Sequence, residues 1–301
     1  MEYAKLTSWI NYLPLIMITV IIVVTKVCGL SAPRFKMTNL IAGLTAVALY
    51  LGGLVYYIFK LRSDIEFNSS RLQVVTALAL LAHLFATFNF LMAPEGLDLS
   101  LLKIFVLISL AMNLIVFASG LTKIQHTLYL ILFPISSATL LMATVIPSSS
   151  SVLTLSAKMQ AHILFSILAY SLLAIAALQA LFIGMLDWQL KRKRRIFLIK
   201  TLPPLETMEL VLFNVILVGQ FFLTLSLLSG LAVYENFFIT TLLPKAILSY
   251  LAWIFNAILL YGRYYRGWRG LIAIRLTWAG FFSLLVAYVG TKFVFEYVIT
   301  G

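Results

Sequence analysis

Nine apolar stretches follow one another along the chain, at about 8–28, 38–61, 71–93, 99–120, 126–147, 160–188, 208–232, 243–263 and 272–298. Each is near or above the roughly 20 residues that an α-helix needs to cross the hydrocarbon core of a bilayer. The polar segments between them are short and carry turn chemistry, as in Ala93-Pro94-Glu95-Gly96, Pro147 followed by Ser148 to Ser151, and Thr201-Leu202-Pro203-Pro204. No segment is long enough for a soluble domain, and no internal repeat of the kind many transporters carry is visible. The pattern predicts an all-α, polytopic bundle of transmembrane helices with about 9 spans.

Composition supports this. Of 301 residues, 62% are hydrophobic and 11% are charged, with a mean hydropathy of +1.05. A soluble domain carries roughly 25% charged residues. The formal net charge of +12 sits largely in loops. In a membrane protein such residues set orientation, so nucleic acid is not an expected partner and the lipid bilayer is. The single cysteine, Cys28, excludes an intrachain disulfide, a CxxCH haem-attachment motif and a thiolate zinc site.

Direction follows from lysine and arginine. Lys191, Arg192, Lys193, Arg194 and Arg195, with Lys200, form one cluster; Arg263, Arg266, Arg269 and Arg275 form another. Two spans separate them, so the loops around 189–207 and 263–272 share a side, which the positive-inside rule makes cytoplasmic. The loops at 93–98, 148–158 and 233–243 then lie outside. Lys26, Arg34 and Lys36 run against this bias if the first span, which contains Pro14, crosses fully. That span is either peripheral or an uncleaved helix overridden by later loops, and it is kept as an uncleaved helix with its amino terminus inside. Tryptophan and tyrosine gather at span ends, at Trp9, Tyr12, Trp188, Tyr234, Tyr264, Tyr265 and Trp268, as an interfacial belt.

Two of the three histidines lie within apolar spans. An ionisable side chain there is costly and marks a candidate site, and imidazole is a standard axial ligand of haem iron. His162 opens the sixth span; Ser166 and Tyr170 follow at four and eight residues and share its helical face. His83 lies mid-span in the third helix, with Thr87 four residues on and Asn89 close by. Both also admit a structural reading, as an interfacial histidine bonded to water or a carbonyl and as a polar residue joining helices. At 1.5 Å rise per residue His83 lies roughly 10–15 Å deeper than His162, so one haem held by both requires tilted helices. His126, beside Lys123, is read as a solvated boundary residue. No Ser-His-Asp set, HExxH, phosphate loop or dinucleotide fingerprint is present, and Asp187, Glu206, Glu209, Glu235 and Glu296 all sit at or near helix ends. No catalysed reaction is therefore expected, and a proton-coupled transporter is disfavoured.

Three stretches together resemble a known family: His162 to Tyr170 leading into Asp187-Trp188-Gln189; Leu202-Pro203-Pro204-Leu205-Glu206, followed by a span ending Leu228-Ser229-Gly230; and Pro244-Lys245 with Ser249 and Trp253, running on to Gly267-Trp268-Arg269-Gly270. The pattern is similar to the cytochrome c assembly membrane proteins of CcsA/CcmC type, and within them to the short YpjD/HemX-like inner-membrane branch. It covers about residues 40–300 and is most specific over 155–275. The resemblance implies an eight-helix core at 37–301, with residues 1–36 as an added helix and loop, in a bacterial inner membrane.

The resemblance further implies haem handling at the outer face in support of cytochrome c biogenesis. His162 and His83 stand as candidate iron ligands, Tyr170 and Ser166 as supporting hydrogen-bond groups, and Lys245 or Arg263 as partners for propionates, although these two lie at opposite faces. Other assembly proteins would be partners. The outer loop at 233–243 departs from the family pattern, because it has no tryptophan and no flanking histidine. A haem-free membrane scaffold or regulator of tetrapyrrole synthesis or respiratory assembly is the second reading, and a small-molecule transporter the third.

Overall fold

The computed structural model describes residues 36–62, 69–93, 96–119, 126–146, 152–153, 156–192, 202–233 and 243–293. The first predicted span and Cys28 lie outside them, as does most of the loop at 233–243. Seven described helices are long and apolar enough to cross a membrane, and Tyr129–Val145 is a shorter apolar helix. Eight helices thus stand where sequence predicts the last eight of nine spans. The described residues divide into two compact units, one over 36–153 and one over 156–293.

The first unit contains α1 (Lys36–Arg62), α2 (Ser69–Leu91), α3 (Leu101–Ser119) and α4 (Tyr129–Val145). Helix α1 packs on α2 and α4, and α3 packs on the same two. With lipid as apolar as the helices, packing specificity comes from small and polar residues at the contacts. Asn113 donates from Nδ2 to Ser136 Oγ at 2.6 Å, and Ser109 Oγ lies 3.0 Å from Thr139 Oγ1, joining α3 to α4. Helix α4 has 17 residues and contains Pro134. A helical turn at 126–128 precedes it and lengthens the apolar stretch toward a full crossing.

The sequence predicts turns at 93–98 and 148–158, and the structure adds short strands there. β1 (Met92–Ala93), β2 (Gly96–Asp98) and β3 (Val152–Leu153) form an antiparallel sheet in the order β1-β2-β3, with Leu97 opposite Leu153 and Asp98 opposite Val152. Two- and three-residue strands carry too little alternation to be read from sequence. Their pairing places both loops at one end of the unit, so α3 and α4 cross and return. Asp98, buried in the sheet, accepts a hydrogen bond from the Ser100 amide and pairs with Lys103, holding the start of α3 to the sheet.

The second unit contains α5 (Ala157–Lys191), α6 (Leu205–Val233), α7 (Leu243–Arg266) and α8 (Leu271–Leu285), continued by a π-helical turn, Val286–Gly290, and a last helical turn, Thr291–Phe293. Helix α5 packs on α6 and α8, and α7 packs on the same two. The apolar window of α5 is 78% buried and that of α7 is 22% buried, so α5 is the core helix and α7 faces lipid. At 35 residues, α5 extends beyond a bilayer core. Ser156 caps its start, accepting from the Met159 amide, and an Asp187–Lys191 ion pair lies in its last turns.

The α7–α8 turn is built on glycine. Gly262 lies flat against the Trp268 ring, where a Cβ would sit 2.1 Å from the indole. Gly267 and Gly270 adopt φ of 67° and 59°. The buried Glu209 of α6 accepts a hydrogen bond from the Gly270 amide at 2.9 Å and faces Arg269. A cysteine pair at Leu97 and Leu153, in a Cys28→Ser background, is expected to cross-link on mild oxidation, read as loss of maleimide labelling; two free thiols would contradict the register.

Candidate functional site

The polar stripe predicted on the sixth span is α5 His162, Ser166 and Tyr170, and all three turn toward other helices of the second unit. His162 Nδ1 lies 3.0 Å from the Ser226 carbonyl and 3.2 Å from Ser229 Oγ, both on α6. Ser229 Oγ itself donates to the Ser226 carbonyl, so both partners face the imidazole as acceptors. Nδ1 therefore carries the proton, and a neutral ring then holds its lone pair at Nε2. Ser166 Oγ donates to the His162 carbonyl at 2.7 Å and lies 2.7 Å from Ser226 Oγ. The imidazole rests against Gly230, where an added Cβ would lie 3.1 Å from His162 Cε1. A glycine at the end of α6 is what lets the ring lie this close to the backbone.

Tyr170 lies two turns along α5. Its hydroxyl donates to the Leu284 carbonyl of α8 at 3.2 Å, and its ring meets Tyr288 edge-on at 5.8 Å between centroids. Ser249 of α7 lies within reach of the same hydroxyl. Lys245, one turn before Ser249, places its ammonium 5.2 Å from the centre of the Tyr288 ring. Four of the sequence-predicted residues, His162, Ser166, Tyr170 and Lys245, thus converge at one end of the second unit. Trp253 follows on α7, with Nε1 donating to Thr224 Oγ1 at 2.9 Å and its carbonyl accepting from Gln220.

Arg263 is elsewhere. Eighteen residues beyond Lys245 on the same helix, it lies roughly 27 Å away. Its guanidinium stacks over Phe213 at 4.6 Å and faces the Trp268 carbonyl, so it belongs to the α7–α8 turn.

His83 belongs to the first unit and differs in kind. It is fully buried, with Nδ1 3.0 Å from the Tyr50 hydroxyl of α1. That hydroxyl makes no other hydrogen bond among the described residues, so it donates to Nδ1, and the proton of His83 sits on Nε2. Nε2 is buried in the packed interior without a hydrogen-bond partner among the described residues. Thr87 Oγ1 donates to the His83 carbonyl, and the Tyr50 ring continues into Phe133 and Tyr129 of α4. Nδ1 is thus taken up by Tyr50, and Nε2 is enclosed by the packed interior. His126 is buried beside Tyr129 in the turn before α4, not solvated as the sequence suggests, because the turn folds it onto the helix it precedes.

Sequence reasoning did not pick out Tyr50, Ser226, Tyr288 or the π-turn. Ser226, Ser229 and Gly230 cluster at the end of an otherwise apolar span, a signal that they face something polar. Tyr50 carries no such signal, being 33 residues from its partner in a span that also holds Tyr56, Tyr57, Gly43, Gly52 and Gly53.

Comparison with known sequences now adds the family. The sequence model described as "Cytochrome C assembly protein" matches residues 72–299. Inner membrane protein YpjD of Escherichia coli (strain K12) is 31% identical over 263 residues, covering 87% of this chain and 98% of that protein. Cytochrome c biogenesis protein CcsA of Prochlorococcus marinus subsp. pastoris is 35% identical over 91 residues, or 29% of each chain. No solved structure matches. With a family match over most of its length, and polar residues of its second unit gathered around the histidine that the family resemblance singles out, the chain belongs to the cytochrome c assembly proteins as a multi-pass membrane protein.

Proposed function

We propose that the protein binds haem at the His162 end of its second unit, in the bacterial inner membrane, and supports cytochrome c biogenesis by holding or relaying it. The observation that carries this is the Ser226 carbonyl on His162 Nδ1, which leaves the ring's lone pair at Nε2. Metal-binding histidines are held in this way, with the second nitrogen donating to a carbonyl that fixes the tautomer. Among the described residues no group of three or more His, Cys, Asp or Glu gathers to hold a bare metal ion. A porphyrin supplies four nitrogens of its own, so one imidazole suffices as an axial ligand. Lys245 offers a cation for a propionate, and Ser166 holds the α5 and α6 backbones in register behind the ring. When bound, haem would be the group passed on; in this reading the chain's residues orient it and catalyse no reaction.

His83 takes the tethering role here, joining α2 to α1 through Tyr50. On the positive-inside rule the Arg-rich loops at 189–207 and 263–272 are cytoplasmic, which puts His162 at the outer face. The single well-disposed ligand and the tryptophan-free loop favour weak, exchangeable binding. They also keep the haem-free scaffold as the second reading.

A visible absorption spectrum of detergent-purified protein decides between them. A stoichiometric Soret band, lost in His162→Ala, is expected. A colourless wild type that takes up no added haem would leave the scaffold. His83→Phe is expected to keep its pigment and to lose ~1 kcal/mol or more of stability, seen as a lower thermal midpoint, because Tyr50 is left without a partner. Gly230→Ala is expected to weaken haem affinity roughly tenfold, the scale of disturbing a group that orients a ligand, with spectral titration as the readout.

A further inference from the structure

Helix α8 carries an arginine inside its apolar span. Arg275 lies beyond Gly270 by about 7.5 Å along the helix, within the stretch Leu271–Gly290 that is apolar enough to cross a membrane. At about 100° per residue it shares one stripe with Leu271, Trp278 and Phe282. Leu271 and Phe282 are each about half exposed, and the Trp278 ring lies against Phe282 with centres 5.2 Å apart. The helix buries its opposite face, Ala273, Thr277, Gly280 and Leu284. Arg275 is itself exposed, on the face that lipid covers.

Orientation does not account for this position, because the positive-inside bias is carried by loop residues and not by a cation within the span. A partner in the protein does not account for it either: among the described residues Arg275 has no ion pair, hydrogen bond or stacked ring. Other cations at this end are taken up, with Lys191 paired to Asp187, Arg192 over Trp188 and Arg263 over Phe213. Arg266 and Arg269, at the glycine turn, are exposed, and Arg269 Nε lies 3.7 Å from Glu209. A guanidinium facing hydrocarbon without a counter-charge is costly, and it escapes that cost by reaching an anion at the interface. Side chains on a helix tilt toward its N-terminus, so Arg275 leans back over the first turn of α8, toward Arg269.

We propose that Arg275, with Arg269 above it, seats the phosphate of an anionic phospholipid whose acyl chain lies along Trp278 and Phe282. The planar guanidinium fork matches two phosphate oxygens, and the apolar stripe matches the chain below them. An uncharged glycerol headgroup or a second phosphate suits this place. The ammonium of a choline or ethanolamine headgroup would be carried against Arg266 and Arg269. The seat lies at the opposite end of the second unit from His162 and stands independently of the haem reading.

Native mass spectrometry and thermal melting test this on full-length protein in detergent, titrated with phosphatidylglycerol or with phosphatidylcholine of the same acyl chains. Wild type is expected to retain phosphatidylglycerol at concentrations where phosphatidylcholine is lost, and to gain thermal midpoint from phosphatidylglycerol alone. Arg275→Leu is expected to weaken phosphatidylglycerol binding roughly fivefold or more, the scale of one cation at a charged lipid surface, and to abolish the gain in midpoint. In phosphatidylcholine the same variant is expected to melt no lower than wild type, because leucine suits a lipid-facing position, which separates lost binding from misfolding. Arg269→Gln is expected to weaken binding less, and Lys191→Gln, whose charge pairs with Asp187, to leave it unchanged. Equal retention of the two lipids by wild type, binding indifferent to Arg275→Leu, or an equal loss in Lys191→Gln would overturn the seat. Two further results would overturn it: Arg275→Leu melting below wild type in phosphatidylcholine, which would assign the guanidinium to a group of the protein, and a midpoint gain reproduced by inorganic phosphate alone.

Discussion

The hydrogen bond from His162 Nδ1 to the Ser226 carbonyl is the contact on which the polar end of the second unit depends. It joins the core helix α5 to α6, it decides which nitrogen of the ring holds a lone pair, and the residues around it are arranged to permit it. Gly230 provides the space, Ser229 a second acceptor, and Ser166 a parallel tie to Ser226. In a lipid solvent each such group needs an internal partner, so the bonds cluster in place of scattering along the seam.

The same solvent gives the two intramembrane histidines opposite chemistry. His83 meets a hydroxyl that has nowhere else to donate, and so its Nδ1 accepts; His162 meets acceptors, and so its Nδ1 donates. Two residues that look alike in the sequence are separated by the hydrogen-bond character of their neighbours. That difference, and not burial alone, is what favours one of them as a ligand.

How much of this was legible beforehand follows from how local each feature is. The last eight spans were readable because apolar runs of membrane length are strong signals, and the His162-Ser166-Tyr170 stripe because residues four apart share a helical face. The glycine-rich turn at 262–270 was visible as a motif, while the packing of Trp268 on Gly262 and the hold of Glu209 on the Gly270 amide were not, since Glu209 is 61 residues from its partner. Tyr50, Tyr288 and the small sheet were hidden for the same reason: each is defined by a contact between distant segments. The π-turn leaves no compositional mark in an apolar helix.

The central claim is a statement about two protons, and nitrogen NMR on protein labelled with 15N-histidine reads them directly. With His162→Gln and His83→Gln variants to assign the signals, the account predicts that neutral His162 is protonated at Nδ1 and neutral His83 at Nε2. His162 protonated at Nε2, or both histidines in the same tautomer, would contradict it.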